Sequence, residues 1–149
     1  MVTDFVGDLM NSKANYICHQ VNCAGAMNSG VAKCIRQKFP VVFEAYKVFC
    51  SSKSNLLGEC LIVQVGENQS VANLFGQNDF GYDGKQYTDY IAIKSALIKL
   101  EGTMKEKESV AFPYKMSSDR GGAAWDVIKQ IILEIFEEKY DIEFWRLPG

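Results

Sequence analysis

Histidine is almost missing from this sequence: His19 is the only one in 149 residues. Cysteine occurs five times, as Cys18, Cys23, Cys34, Cys50 and Cys60, but the count is odd and no CxxC pair is present. Zinc sites draw on paired cysteine or histidine ligands at tight spacing, so no metal centre and no cofactor are expected. The same pattern does not describe a disulfide framework. The cysteines read as reduced and mostly packed as small hydrophobes, which fits a reducing, cytoplasmic setting. No run reaches the length of about eighteen apolar residues that a membrane-spanning helix needs, so no membrane partner is expected. The opening "MVTDFVGDLM" carries Asp4 and no basic stretch before an apolar run, so no secretory leader is expected. An excess of one charge sign is missing too. The 16 Lys and Arg against 18 Asp and Glu leave a net charge of −2, and bulk nucleic-acid binding, which needs a basic face, is not expected. Proline is scarce, at three residues, and no linker, repeat or low-complexity tract interrupts the chain. With 48% hydrophobic and 23% charged residues, the composition suits one globular domain over 1–149, expected as a monomer.

What is present is an alternation of short apolar runs with helical patterns. Val2 to Val6 read as a strand ending in a turn at Gly7, and "NYICHQVN" reads as a buried strand. "GVAKCIRQKFP" places Val31, Cys34, Ile35 and Phe39 at helical spacing, and Pro40 opens a second helix. "ECLIVQV" and "SVANLF" flank a turn and predict a hairpin. A helix is expected from Thr88 to Lys105, with Tyr90, Ile93, Leu97 and Leu100 as its stripe, widened by Ile91 and Ile98. "SVAFP" is a further strand. A helix with Trp125, Ile128, Ile132 and Ile135 facing inward starts near Ala123, and "DIEFWRL" is the last strand. Interleaved strands and helices with one hairpin predict a three-layer α/β/α sandwich around a mixed sheet.

Two loops carry unusual runs of small residues. "NCAGAMNSGVA" follows the second strand and runs through Asn28, Ser29 and Gly30 into a helix. "YKMSSDRGG" follows the "SVAFP" strand and also leads into a helix. Helix starts present unpaired N–H groups and partial positive charge, and small residues let a ligand approach the backbone, so each loop suits a phosphate. Helix capping alone would also explain Asn28, Ser29 or Asp119. Two such loops on one sheet edge suggest a clamp for a diphosphate. Neither GxxxxGKS/T nor GxGxxG occurs, so the P-loop and the common dinucleotide fingerprint are not matched. Asp8, after the first strand, offers a carboxylate to an amino group, or is simply a solvated turn residue.

"FVGDL", "NCAGAMNSGVA" and "FPYKMSSDRGGAAW", in this order over essentially the whole chain, resemble the macrodomain family. Within it they resemble the branch holding terminal ADP-ribose protein glycohydrolases and fungal ADP-ribose 1″-phosphate phosphatases. The resemblance implies ADP-ribose or a derivative as ligand, in a cleft at the sheet edge. It puts Asp8, with Leu9, at the adenine, and Asn22, Ala24, Gly25, Asn28, Ser29, Gly30 and Val31 along the distal ribose and diphosphate. It makes Ser117 to Gly122, with Ser117, Ser118, Arg120, Gly121 and Gly122 as ligand contacts, the second gripping loop, and adds Pro113, Tyr114, Lys115 and Met116 to the ligand-binding residues. Leu147 is placed beside the adenine, and Phe80 or Tyr82 over the distal ribose. Asp119 falls where this branch has a catalytic aspartate, and His19 matches a histidine of its phosphatase members. Two departures stand out. Gln77 occupies the position of the glycohydrolases' nucleophilic lysine, and Asn22 is the only survivor of the "NAAN" stretch of other macrodomain hydrolases.

Three readings follow from the resemblance. The chain is a phosphatase of ADP-ribose 1″-phosphate, using Asp119 as base or nucleophile and His19 as acid, base or orienter. Alternatively, it removes ADP-ribose from protein or nucleic acid, or it binds ADP-ribose without reaction. A fourth reading, from the residues alone, is a thiol enzyme built on Cys23 and His19.

Overall fold

The computed structural model describes residues 1–81, 83–118 and 121–149. Strand β1 (Val2–Val6) is followed by one turn of 3-10 helix (Leu9–Asn11), β2 (Tyr16–Asn22) and helices α1 (Gly30–Lys38) and α2 (Pro40–Ser52). The chain continues through β3 (Cys60–Gly66), β4 (Gln69–Gln77), α3 (Tyr90–Thr103), β5 (Ser109–Pro113), α4 (Trp125–Phe136) and β6 (Asp141–Arg146). Local chemistry explains several boundaries. Phe39 leaves the helical region (φ −126°, ψ 75°) because the residue before a proline is pushed out of it, and Pro40 then starts α2. The Asp89 carboxylate accepts the Ala92 N–H at 3.0 Å and caps α3.

The described strands form one six-stranded sheet in the order β1-β6-β5-β2-β4-β3. Only the β3–β4 hairpin is antiparallel; β1–β6, β6–β5, β5–β2 and β2–β4 are parallel. Each sheet face buries its own core. On one face Ile35 of α1 and Val42 and Tyr46 of α2 pack on Ile17, Val21, Val71, Phe75 and Ala111. On the other, Ile93 and Leu97 of α3 and Ile128, Ile132 and Phe136 of α4 pack on Cys18, Leu74, Val110, Phe112 and Ile142. The result is an α/β/α sandwich of three layers. No helix among the described residues is long and apolar enough to cross a membrane.

The topology also fixes where an opening must lie. β5 leads through α4 to one side of the sheet, and β2 leads through α1 and α2 to the other. Adjacent parallel strands whose connections diverge leave a crevice beyond their carboxyl ends. Here the two strands pair only through Tyr16–Val110 and Ile17–Ala111, and Cys18 to Asn22 run on without a β5 partner.

Three sequence expectations need correction. Ile91 and Ile98 are 84% and 52% exposed, because α3 meets the sheet through Ala92, Ile93, Ala96, Leu97 and Leu100, whose two alanines allow close approach. Cys34 is exposed, whereas Cys18 is buried. The α3 and α4 starts lie later than expected: Thr88 and Ala123 belong to loop contacts, with the Ala123 N–H donating to the Ser117 carbonyl at 3.0 Å.

Candidate functional site

The crevice between the ends of β2 and β5 is a cleft of about 210 Å³. Its walls come from β2 (His19 to Asn22), the first small-residue loop with the start of α1, the end of β4 with Phe80 and Gly81, and the loop after β5. Of the site residues expected from sequence, it gathers His19, Asn22, Asn28, Ser29, Gly30 and Val31 on one side. Pro113, Tyr114, Lys115, Met116, Ser117 and Gly121 stand on the other. Asp119 and Arg120, and also Tyr82, lie outside the described residues. Asp8, Leu9, Ala24, Gly25, Ser118, Gly122 and Leu147 do not line this cleft. Asp8 caps the 3-10 turn, accepting the Met10 N–H at 2.9 Å, Leu9 is buried, and Leu147 is 71% exposed on the C-terminal tail.

Asn22 shapes the first loop from within. Its Oδ1 accepts the N–H groups of Ala24 (2.9 Å) and Ala26 (3.4 Å), and its Nδ2 donates to the Ala26 carbonyl at 3.1 Å. The Tyr46 hydroxyl lies 2.6 Å from the Asn22 carbonyl oxygen and 2.8 Å from Oδ1, tying the loop to α2. Burial pushes the Tyr46 phenol well up, so it remains a donor. The loop leaves Asn28 and Ser29 at the mouth of α1. Gly30 opens the helix at φ +60° with open space where a side chain would stand, which places an uncovered backbone at the cleft wall.

The second loop is bent by two residues in the left-handed region, Lys115 (φ 61°) and Ser117 (φ 70°). Turns that alternate in this way gather backbone N–H groups into a concavity suited to an anion. The glycines of this loop serve packing: a Cβ on Gly121 would meet Thr88 and the Ser117 carbonyl, and one on Gly122 would meet the backbone of Lys85 and Gln86. Among the described residues, the charge lining the cleft is cationic. Lys115 lines it, and no described residue lining it carries a carboxylate. The Lys115 ammonium lies 5.6 Å from the Tyr114 ring centroid, and the Arg146 guanidinium lies 5.4 Å from it. β5–β6 pairing brings Arg146 there, a proximity that sequence spacing does not reveal.

His19 is buried on β2, with Nε2 2.6 Å from Asn73 Oδ1. Burial lowers its pKa to about 4, only partly opposed by the Asn73 hydrogen bond, so the ring is neutral near pH 7. Among the described residues its ring hydrogen-bonds Asn73, and no hydrogen bond joins it to Cys23. Burial, with the nearby Cys50, pushes the Cys23 thiol up to about 11, the opposite of an activated nucleophile. Sequence reasoning missed Gln20, Val21, Ala32 and Gly81 as cleft residues. Gln77 does line the cleft, with its Oε1 accepting from Gln20 Nε2 at 2.7 Å and its Nε2 donating to the Asp79 carbonyl at 2.7 Å.

The Macro domain family model matches residues 18–132, from the middle of β2 into α4. The chain belongs to the Macro domain family. Among curated proteins, this macrodomain is 24% identical to the DNA ADP-ribosyl glycohydrolase of Mycobacterium tuberculosis, over 96% of its own length and 41% of the relative's. It is 30% identical to the ADP-ribose 1″-phosphate phosphatase of Candida albicans, over 60% of this chain and 61% of that protein. The chain thus spans about two fifths of the mycobacterial relative. Among solved structures, the DarG macrodomain of Mycobacterium tuberculosis superposes with a TM-score of 0.84 at 23% identity, covering 100% of this macrodomain and 99% of that chain. At that identity the likeness shows the fold.

Proposed function

We propose that the cleft binds ADP-ribose and that the chain hydrolyses an ADP-ribose derivative, with ADP-ribose 1″-phosphate as the first candidate substrate. The observation that carries the binding is the pairing of two anion-ready backbones across one crevice: the open start of α1 at Gly30 and the twice-bent loop at Lys115 and Ser117. A diphosphate between them would meet N–H groups from both sides and the Lys115 ammonium, with no described carboxylate lining the cleft to repel it. The names of the two curated relatives, both acting on ADP-ribosyl compounds, support the same ligand.

For the reaction, the resemblance points to Asp119 as the base. It would take a proton from a water whose oxygen bonds to phosphorus, while the bond from phosphorus to the 1″ oxygen breaks and that oxygen takes a proton from solvent, giving ADP-ribose and phosphate. His19 serves this as a neutral hydrogen-bonding group, because a ring with pKa about 4 does not carry a proton to and fro near pH 7. Asp8, Leu9 and Leu147, which do not line the main cleft, remain proposed ligand contacts, with Asp8 and Leu147 at the adenine.

A second reading, a module that grips ADP-ribose without reaction, is favoured by one observation. The side chain of Gln77 is engaged at both ends of its amide by protein groups. Turnover decides between the two. The protein is incubated with ADP-ribose 1″-phosphate, ADP-ribosylated protein and ADP-ribosylated DNA, and release of phosphate or ADP-ribose is followed. Phosphate release that disappears in Asp119→Ala, with ADP-ribose binding largely kept, supports the phosphatase. Release only from protein or DNA moves the substrate, and no release from any of them leaves the binding module.

A further inference from the structure

Gln20 lies on β2 between His19 and Val21. In the structure its amide is the hub of a directed hydrogen-bond ring that spans the cleft. Two carbonyls, which only accept, set every direction in it. The Ser117 carbonyl receives the Thr88 hydroxyl at 2.9 Å, so Thr88 Oγ1 must itself accept, and it does so from Gln20 Nε2 at 2.8 Å. The Asp79 carbonyl receives Gln77 Nε2, so Gln77 Oε1 turns to Gln20 and takes its second N–H at 2.7 Å. Gln20 Oε1 is then left facing Ser117, whose hydroxyl donates to it at 2.6 Å.

The ring closes on the strained residue of the second loop. Ser117 sits at φ 70°, a conformation that costs a non-glycine residue free energy and persists only where neighbours hold it. Gln20 holds its hydroxyl, while Thr88 and the Ala123 N–H hold its carbonyl. The slot for Gln20 is kept open by glycine: a Cβ on Gly76 would overlap the Gln20 amide, and one on Gly121 would stand 3.1 Å from Gln20 Nε2.

We propose that Gln20 is a positioning residue, which together with Thr88 locks Ser117 and so sets the second loop in the conformation that receives the anionic part of the ligand. The proposal rests on the reading of the cleft as an ADP-ribose site. It assigns Gln20 no contact with the reacting atoms. Gln77, a residue of the opposite wall, is anchored by the same amide, so the two walls keep their separation through one side chain.

The test is a double-variant cycle read by ADP-ribose calorimetry, with thermal melts to confirm folding. Gln20→Ala and Ser117→Ala are each expected to weaken ADP-ribose binding about tenfold, and the double variant to lose no more than either alone, because the three share one ring. Gly76→Ala, which displaces the Gln20 amide, is expected to reproduce Gln20→Ala. Should Gln20→Ala not fold, the Thr88 pair decides: Thr88→Ser keeps the hydroxyl and binds within about twofold of the parent, and Thr88→Val loses about tenfold. A folded Gln20→Ala with unchanged affinity, fully additive losses, or equal binding by Thr88→Ser and Thr88→Val overturns the positioning role while leaving the ligand assignment intact. A folded parent protein that does not bind ADP-ribose overturns the ligand assignment and the role with it.

Discussion

A carbonyl accepts hydrogen bonds and cannot donate them, and on β2 that rule decides the state of the only histidine from two residues away. The Leu61 carbonyl takes the Asn73 Nδ2–H at 2.9 Å, which turns Asn73 Oδ1 toward His19 and requires a proton on Nε2. Nδ1 then carries the lone pair, and it is a buried side-chain atom without a hydrogen-bond partner among the described residues. Such a ring resists a second proton, in line with its pKa of about 4. Because the folded pKa lies below the unfolded one, the unfolded chain binds more protons between about pH 6.5 and 4. Stability is therefore full above pH 6.5 and falls as pH drops through that window, by about 3 kcal/mol from this group alone. Urea unfolding at several pH values should show that slope, and His19→Leu should flatten it even as it lowers stability overall. Imidazole NMR needs no assignment in a chain with a single histidine. The resonance should stay in the neutral form through pH 6, and titration near pH 6.5 would contradict the buried, Asn73-locked ring.

At the scale of elements, the first small-residue loop is built by Asn22 more than by its glycines. Removing the Asn22 side chain leaves the Ala24 and Ala26 N–H groups without its Oδ1, so Asn22→Ala should cost about 2–3 kcal/mol in denaturant unfolding and weaken ligand binding. Tyr46→Phe removes one hydroxyl while Asn22 Oδ1 keeps its backbone donors, so it should cost less, about 1 kcal/mol. The reverse ranking would show that the α2 contact, rather than Asn22, holds the loop. This loop was legible in sequence because Asn28, Ser29 and Gly30 are helix-start residues whatever surrounds them. The second loop showed in the sequence as a small, polar run after the β5 strand, although α4 starts only at Trp125, and its glycines leave room for Thr88 and the Lys85 backbone. Other features had no local signal. Ile91 and Ile98 fit a helical stripe on hydrophobicity, but Ala92 and Ala96 decide which face of α3 reaches the sheet, and small residues carry little weight in such a pattern. Gln20 comes to Ser117 from β2, beside β5, and Thr88 comes to it from the segment before α3 that bridges to Gln77, and side-chain hydrogen bonds across such distances leave no spacing in the sequence.

For the whole molecule, the position of the cleft follows from connectivity. The strand order brings β2 and β5 together, their connections part to opposite sides, and the crevice opens where their pairing ends after Ile17 and Ala111. Alternation of strands with helices made the α/β/α class readable from sequence, while the pairing that defines the crevice is a long-range fact. A ligand held there by backbone N–H groups and the exposed Lys115 ammonium should bind more weakly as salt rises. Raising sodium chloride from about 0.05 to 0.5 M should lower affinity several-fold, and Lys115→Ala should reduce that salt dependence. The most direct test of the whole account is a calorimetric titration of the purified protein with ADP-ribose. A saturable, one-to-one heat with a dissociation constant in the micromolar range, near −8 kcal/mol at about 1 μM, is the predicted result. No heat and no thermal shift at millimolar ADP-ribose, from protein shown to be folded, would contradict it.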